Sequence, residues 1–221
     1  MADANDLLTL PEAKAAVGGA SAETGRDALY ERAVTAITTA IEDVAGPVLN
    51  RTITAEQQRT NGNTVRLDHW PISAFTTVAQ YDAVGTSTAL TAETYNTKPA
   101  NGYRPHRVTQ GTGIYNGTIE RRATNSGANF PTDGTLLVTY TAGRYAALTD
   151  PGAQRFKLAA TLTLKNTWRA FESTVITDGD YDLPFQSFPS KFLIPDAALE
   201  LLGDDLRGVA PPEGKHTILI A

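Results

Sequence analysis

The chain has 221 residues, of which 41% are hydrophobic and 19% charged, so it is long enough for one large or two small hydrophobic cores. It contains no cysteine, which excludes disulfide bonds and thiolate metal sites. A formal charge of −5 argues against a protein that coats duplex DNA, because such proteins meet the phosphates with an excess of Lys and Arg.

Residues 1–51 carry two helix patterns. Thr9-Leu10-Pro11-Glu12 has the spacing of a capping box with proline in the first turn, which predicts a short helix over 11–17. A second helix is expected over 24–45, where apolar residues recur at intervals of four and three until Gly46-Pro47. Its apolar stripe comprises Tyr30, Val34, Ile37, Ile41 and Val44, and the acidic residues off that stripe are Asp27, Glu31 and Glu42.

Residues 52–145 change to a period of two, which predicts an antiparallel, sandwich-like β-region. The expected strands are separated by Asn, Gly and Pro turns and cover 52–58, 64–69, 72–81, 88–95, 105–109, 117–123 and 135–142. Pro71 cannot donate to a sheet ladder, so it is expected to separate the second and third strands. Trp70 would then supply apolar surface where the chain turns this corner.

Residues 146–173 return to helical periodicity, with Asp150-Pro151 as the start signal of a helix over 151–172. Its apolar side comprises Phe156, Ala160, Leu164, Trp168 and Phe171, widened by Leu158 and Leu162, and its basic side comprises Lys157, Lys165 and Arg169. Neither long helix can bury its stripe alone. We therefore expect an α+β fold, in which a small helical bundle carries the β-region as an insertion.

The tail, 174–221, is rich in proline and aromatic residues and has one short helix pattern over 195–203. Its apolar content exceeds that of a free linker, which predicts an extended C-terminal arm that binds a partner. The expected contact residues are Phe188, Phe192, Ile194, Leu199, Leu202, Ile218, Leu219 and Ile220. The alternative is a tail that folds back onto its own bundle.

No set of residues has the spacing of a catalytic, cofactor or metal site. His69, His106 and His216 lie in separate segments without a paired metal-ligand spacing. The glycines of 111–117 do not match a dinucleotide-binding loop. We expect a protein that is not an enzyme and needs no cofactor. No apolar run approaches the ~20 residues of a membrane helix, and no secretion signal is evident at the N-terminus, so no membrane partner is expected.

One acidic turn imitates the first half of a calcium-binding loop. Asp178, Asp180 and Asp182 alternate as the oxygen ligands of such a loop do, but the glycine and the closing glutamate are missing. A solvated acidic turn is the favoured interpretation. A β-rich module that binds carbohydrate or calcium remains the alternative from a different functional class.

A series of short motifs occurs in one order along residues 7–173. They are "LTLPEAK" (8–14), "LDHWPISAFTTV" (67–78), "LTAETY" (90–95) and "VTYTAG" (138–143), followed by the long helix. This order resembles the head-to-tail connector proteins, or head-completion adaptors, of tailed bacteriophages. The resemblance implies a helical bundle with a β-rich insertion and no catalytic activity.

The resemblance also implies a place and a set of partners. Adaptors of this family assemble as a twelve-fold ring under the portal protein, extend the DNA channel and provide a docking surface for a stopper or other tail-side protein. The expected location is the neck of the virion, after assembly in the host cytoplasm, with genomic DNA passing without sequence-specific binding. The C-terminal arm would bind the portal. The alternative within the same class is another virion ring protein, a stopper or a tail terminator.

A ring requires two different patches of each subunit to meet. Opposite charges on the two long helices are the expected pair, with Asp27, Glu31 and Glu42 on one side and Lys157, Lys165 and Arg169 on the other. Two ordinary solvated faces are the alternative interpretation. A further basic cluster, Arg104, Arg107, Arg121 and Arg122, is interpreted as exposed strand-end charges.

Overall fold

A computed structural model describes residues 5–19, 24–108, 113–124, 126–177 and 194–203, with the backbone alone over 171–177. The helices are α1 (Leu10–Val17), α2 (Asp27–Ala45), α3 (Gln154–Thr177) and α4 (Asp196–Leu202). The strands are β1 (Arg51–Arg59), β2 (Thr64–Arg66), β3 (Ile72–Tyr81), β4 (Ser87–Ala89), β5 (Thr91–Ala92), β6 (Gly102–Arg107), β7 (Tyr115–Ala123), β8 (Ser126–Gly127) and β9 (Thr135–Ala142). The α+β class predicted from the sequence is confirmed.

The chain divides into two compact units, each with its own core. The helical unit consists of the described residues of 1–46 and 148–221, and the β unit consists of the described residues of 47–147.

In the helical unit, α1, α2 and α3 pack on one another. The capping-box prediction holds at α1, where a Glu12 carboxylate oxygen accepts the Thr9 N–H at 3.0 Å. The core joins the predicted stripes of α2 and α3, and the rings of Tyr30 and Trp168 stack with 4.5 Å between centroids. Leu158 does not widen this core: its side chain is 48% exposed. Two residues along a helix turn it by about 200°, so Leu158 lies opposite the buried Phe156.

The tail is not extended over its described part. Helix α3 continues to Thr177, five residues beyond the predicted end, and α4 packs against α3. Ala198 and Leu202 on α4 are completely buried. Because burying this apolar side stabilises a short helix that would not persist alone in water, α4 belongs to the helical unit. Residues 178–193 and 204–221 lie outside the described residues.

The β unit contains one hydrogen-bonded sheet in its described residues, not the two sheets of the expected sandwich. The order is β1-β9-β3-β7-β6-β5, with β2 and β8 also paired to β7 and β4 to β3. Strand β3 connects the two halves of the sheet, because it pairs with β9 along its length and its first residue, Ile72, also pairs with Tyr115 of β7. The pair β5–β6 is parallel, so the expected all-antiparallel arrangement is wrong there.

The core of the β unit follows the alternation that the sequence predicted. On β9, Leu136, Val138, Tyr140 and Ala142 are all completely buried. The corner before β3 contains a cis peptide between Trp70 and Pro71, and Trp70 packs partly buried against this core, as predicted. The expected strand over 88–95 is divided at Leu90, whose side chain is buried and whose N–H donates to Val78 at 2.8 Å.

The two ends of the β unit are hydrogen-bonded to each other. Leu49 and Tyr145 form a parallel bridge. The Asn50 N–H donates to the Tyr145 carbonyl at 2.9 Å, and the N–H groups of Arg144 and Tyr145 donate to the Val48 carbonyl at 3.0 and 3.1 Å. The chain therefore leaves the β unit beside the point where it enters.

Candidate interaction surfaces

Two of the predicted ring-contact residues have ion-pair partners inside their own helical unit. The Lys14 ammonium is almost fully buried and lies 2.5 Å from a carboxylate oxygen of Asp27. Lys157 of α3 bonds the Glu12 carboxylate of α1. Burial alone would raise the pKa of Glu12, but the hydrogen bonds from Lys157 and Thr9 outweigh it and lower that pKa. These pairs tie α1 to α2 and α3.

The other predicted ring-contact residues face solvent to different degrees. Glu31 and Glu42 on α2 are half-exposed. Lys165 and Arg169 on α3 are exposed and, being four residues apart, lie on the same side of the helix. This cationic pair is the described part of the predicted interface that is most open to a partner.

The predicted arm residues fall into two groups. Leu202 is completely buried in the helical unit, so it serves that unit's own core and does not face a partner. Ile194 and Leu199 are half-buried. The remaining arm residues lie outside the described residues, and they are Phe188, Phe192, Ile218, Leu219 and Ile220.

A buried carboxylate, Glu56, joins β1, β9 and the corner at 67–70. Strand β1 bulges between Ile53 and Glu56, with Ala55 at φ 55°. The Glu56 carboxylate is 8% exposed, lies 3.0 Å from a ring nitrogen of His69, and accepts hydrogen bonds from the Tyr140 hydroxyl, the Asp68 N–H at 2.9 Å and the Gln58 amide at 3.0 Å.

Protonation of this cluster is set by its hydrogen bonds. Burial alone would raise the pKa of Glu56, but the hydrogen bonds from Tyr140 and His69 hold it below its usual value. Burial, and then the bond to Glu56, raise the pKa of the Tyr140 hydroxyl. At neutral pH the carboxylate is ionised and the phenol is protonated. Because both oxygens of Glu56 are engaged, the cluster is a structural junction and offers no free base.

A second buried carboxylate, Glu93, is clamped by three cations. Its side chain is 2% exposed and its oxygens lie 2.8 Å from Lys98, 2.9 Å from Arg104 and 2.7 Å from Arg122. Hydrogen bonds from Lys98 and Arg122 lower the pKa of Glu93 to about 2. The clamp joins the loop after β5 to strands β6 and β7.

The loop held by this clamp, residues 93–98, presents an aromatic side chain to solvent. Thr94 and Thr97 bond each other twice, with the Thr94 N–H donating to the Thr97 carbonyl and the Thr97 N–H to the Thr94 hydroxyl, both at 3.0 Å. Tyr95 between them is 95% exposed. Val84, at the tip of the β3–β4 hairpin, is the next most exposed large apolar side chain in the described residues, at 86%.

The arginine cluster of the β unit is not a row of exposed strand-end charges. Arg121 is buried, and its guanidinium donates to neutral oxygens of Gln80 at 2.9 Å, Gly102 at 3.0 Å and Asn101 at 3.0 Å. Burial lowers the pKa of Arg121. Arg122 is mostly buried between Glu93 and Glu120. Only Arg104 and Arg107 of the four are exposed.

The histidines and acidic residues give no metal site among the described residues. His69 lies at Glu56, and His106 lies 3.4 Å from Glu120. No described group of three His, Cys, Asp or Glu side chains is arranged to hold a metal ion. His216 and the acidic turn, Asp178, Asp180 and Asp182, lie outside the described residues. Within the described chain, none of the helices combines the length and apolar character needed to cross a bilayer.

Charge is divided unequally between the two units. The β-unit sequence, 47–147, has nine Lys and Arg against six Asp and Glu, a formal charge of +3. The rest of the chain has ten Lys and Arg against eighteen Asp and Glu, a formal charge of −8. Opposite charges on two parts of one chain favour contacts between unlike parts of neighbouring copies.

Sequence reasoning identified neither buried carboxylate nor Tyr95 as a surface feature. Glu93 and Tyr95 stand in the motif "LTAETY" and were assigned only to a strand. The one available signal was that Glu93 follows an apolar strand pattern closely, where a carboxylate needs a partner if it is buried.

Comparison with protein-family models and with curated proteins finds no match. Comparison with solved structures finds similar chains, and two of them are described here. One belongs to the neck of an empty GTA particle computed with C6 symmetry, with 16% sequence identity, 88% of this chain and 89% of that chain covered, and a TM-score of 0.51. Another belongs to the virion of a native gene transfer agent (GTA) particle, with 20% identity, coverage of 84% and 87%, and a TM-score of 0.47. The first likeness shows that this chain has the fold of a chain from the neck of such a particle.

Proposed function

We propose that the chain is a non-enzymatic structural protein in the neck of a phage or phage-like particle. The observation that carries this proposal is the fold likeness to a neck chain, which extends over 88% of the sequence. The ordered motifs between residues 7 and 173 support the same class independently, because they resemble those of head-to-tail connector proteins.

Within the neck, the proposed role is that of the adaptor. The chain forms a twelve-fold ring under the portal, extends the DNA channel and offers its other side to a stopper or tail-side protein. The fold likeness alone supports a stopper equally well, since it is a likeness to a chain of the neck and does not distinguish one neck component from another. The motif order favours the adaptor.

The proposed ring contact places Lys165 and Arg169 of one copy against the acidic side of α2 in the next. Changing both to glutamate is expected to weaken ring assembly, because like charges would then face each other at the contact. The alternative is that both helix faces are solvated. Even where exposed ion pairs do form, each contributes only ~0–1 kcal/mol to the free energy of association. Native mass spectrometry over a salt series measures the effect, which should be largest at low salt. Assembly that is unaltered at every salt concentration contradicts this contact.

Binding to the portal tests the function itself. We propose that the end of the chain, with Ile218, Leu219 and Ile220, acts as the portal-binding arm together with Phe188 and Phe192. Deletions of 213–221 and of 204–221 both retain α4, whose Leu202 is part of the core. The full chain is expected to co-sediment with portal rings of the same particle, and the longer deletion is expected to lose this binding.

The outcomes of this experiment are distinguishable. Failure of the full chain to bind portal contradicts the adaptor role. Binding that survives deletion of 204–221 contradicts the role given to Ile218, Leu219 and Ile220 and leaves the adaptor role in place. Thermal unfolding of each deletion serves as the control, and it should match that of the full chain.

A further inference from the structure

Tyr95 is an exposed aromatic residue on a loop whose backbone is fixed by hydrogen bonds and an ion pair. Its side chain is 95% exposed, yet the loop beneath it is closed by the Thr94–Thr97 bonds and by the Glu93–Lys98 ion pair of 2.8 Å. A fully exposed ring adds nothing to the stability of its own unit. An ordered loop does, however, lower the entropic cost of binding, and tyrosine supplies a large contact area with few rotatable bonds.

The surroundings of Tyr95 are cationic at the surface. Lys98 and Arg104 are 35% and 44% exposed, while the Glu93 carboxylate that they hold is only 2% exposed. Solvent therefore meets the lysine and arginine side chains far more than the carboxylate. Strand β5, which leads into the loop, is the last strand in the sheet order, so the loop lies at an edge of the β unit.

Helix α4 offers the matching chemistry. Asp196 and Glu200 are exposed, and Leu199 is half-buried. Residues three and four apart share one side of a helix, so Leu199 and Glu200 both neighbour Asp196, and a half-buried leucine lies beside two exposed carboxylates. We propose that loop 93–98 of one copy docks onto α4 of a second copy, with Tyr95 against Leu199 and with Lys98 and Arg104 facing Asp196 and Glu200.

A second copy is favoured as the occupant by the charge of the two units. The sequence of the β unit has a formal charge of +3 and the rest of the chain has −8, so the net charges favour contact between unlike units of two copies. Such a contact is heterologous, as closed rings require. In this respect it deepens the proposed function, because it names a second surface through which neighbouring ring subunits meet.

The surface area that one loop buries on one helix is far smaller than the ~1,600 Å² that a stable interface buries. The contact alone is therefore weak, and covalent capture is the suitable measurement. The full-length chain is prepared with heavy isotopes and with a photo-cross-linking phenylalanine analogue at position 95. It is then mixed with unlabelled chain and irradiated. We expect cross-links between labelled and unlabelled copies that map to residues 194–203. The same analogue at Val84, a tip that is 86% exposed and has no Lys or Arg near it in the sequence between residues 67 and 97, is the matched control and should give none there.

Affinity is measured in parallel by sedimentation of the unmodified chain. Tyr95→Ala is expected to weaken self-association by about ten- to thirty-fold, as loss of a buried aromatic anchor does, whereas Val84→Ala should leave it unchanged. Asp196→Asn combined with Glu200→Gln should reduce the salt dependence of self-association and leave the part that comes from Lys165 and Arg169. Thermal unfolding confirms that α4 remains folded in that variant.

Absence of cross-links between copies, or cross-links between copies only outside 194–203, overturns the proposal. So does self-association that Tyr95→Ala leaves unchanged. A chain that cross-links as expected and yet fails to bind portal contradicts the adaptor role and not this contact.

Discussion

Replacing Gly143 with alanine is expected to destabilise the β unit by about 3 kcal/mol, because it combines backbone strain with a steric clash. Gly143 has φ +126°, a conformation that L side chains rarely adopt. An added Cβ would lie 2.4 Å from the Leu49 carbonyl oxygen and 2.6 Å from its carbon. Both are backbone atoms in the segment that closes the β unit, so neither can move without opening that closure.

The measurement uses the two tryptophans, since Trp70 belongs to the β unit and Trp168 to the helical unit. In a Trp168→Phe background, urea unfolding followed by fluorescence reports the β unit through Trp70. Gly62→Ala is the matched control: its φ is +84° and an added Cβ meets nothing within 4 Å. That variant carries strain alone and should lose about 1 kcal/mol. Equal losses in the two variants would contradict the clash.

Replacing Glu56 with alanine is expected to cost about 3 kcal/mol, since each buried donor left without an acceptor costs about 1–3 kcal/mol. The Tyr140 hydroxyl and the Asp68 N–H lose their acceptor, and the Gln58 amide loses one of its two carboxylate partners. Glu56→Gln keeps the shape of the side chain and one acceptor oxygen, so it should cost less than the alanine variant. Urea unfolding in the same Trp168→Phe background measures both. A glutamine variant as unstable as the alanine variant would show that charge, and not hydrogen bonding, holds the junction.

The acid stability of these variants follows from the direction of the pKa shift. The pKa of Glu56 is lower in the folded protein than its ordinary 4.5, so its contribution is present above pH 4.5 and is lost as the pH falls below that value. Glu56→Gln should therefore lose less stability on acidification than the parent. Glu93 is unchanged in that variant, and its own contribution to stability is also lost as the pH falls from 4.5 to about 2. The variant should therefore still lose stability on acidification, but less than the parent. An unchanged acid dependence would contradict this role of Glu56.

Local sequence patterns predicted the elements that depend on interactions between near neighbours in the chain or on a regular alternation of apolar residues. The capping box at Thr9 and Glu12 joins groups three residues apart, and the alternation along β9 needs only one buried face, so both were visible in the sequence. Helix α3 was found from its apolar side, although Leu158 was assigned to the core by residue type when its angular position excludes it. Burial of α4 depends on the surface that α3 offers, which no local pattern reveals.

The charged clusters escaped prediction for a physical reason. Glu93 and Arg122 meet across 29 residues, and Glu56 and Tyr140 across 84, so both pairings depend on the sheet order. Arg121 did carry a usable signal: it follows the buried Ile119 by two positions and shares its inward side of β7. The arginine was interpreted as exposed because of its charge. Its neutral partners, Gln80, Gly102 and Asn101, come from other segments of the chain.

The closure at the ends of the β unit has a mechanical consequence. Leu49 and Tyr145 pair in parallel. Tension applied where the chain enters and leaves the β unit therefore pulls these two segments along their length in opposite directions. The hydrogen bonds between 48–50 and 144–145 then bear the load together, in shear. An antiparallel pair pulled from the same two ends would open one bond at a time, as a zipper does. Gly143 lies against Leu49 at this closure, where only a residue without a side chain fits. Force transmitted along the backbone through residues 46 and 148 therefore reaches the core of the β unit only after this clamp breaks.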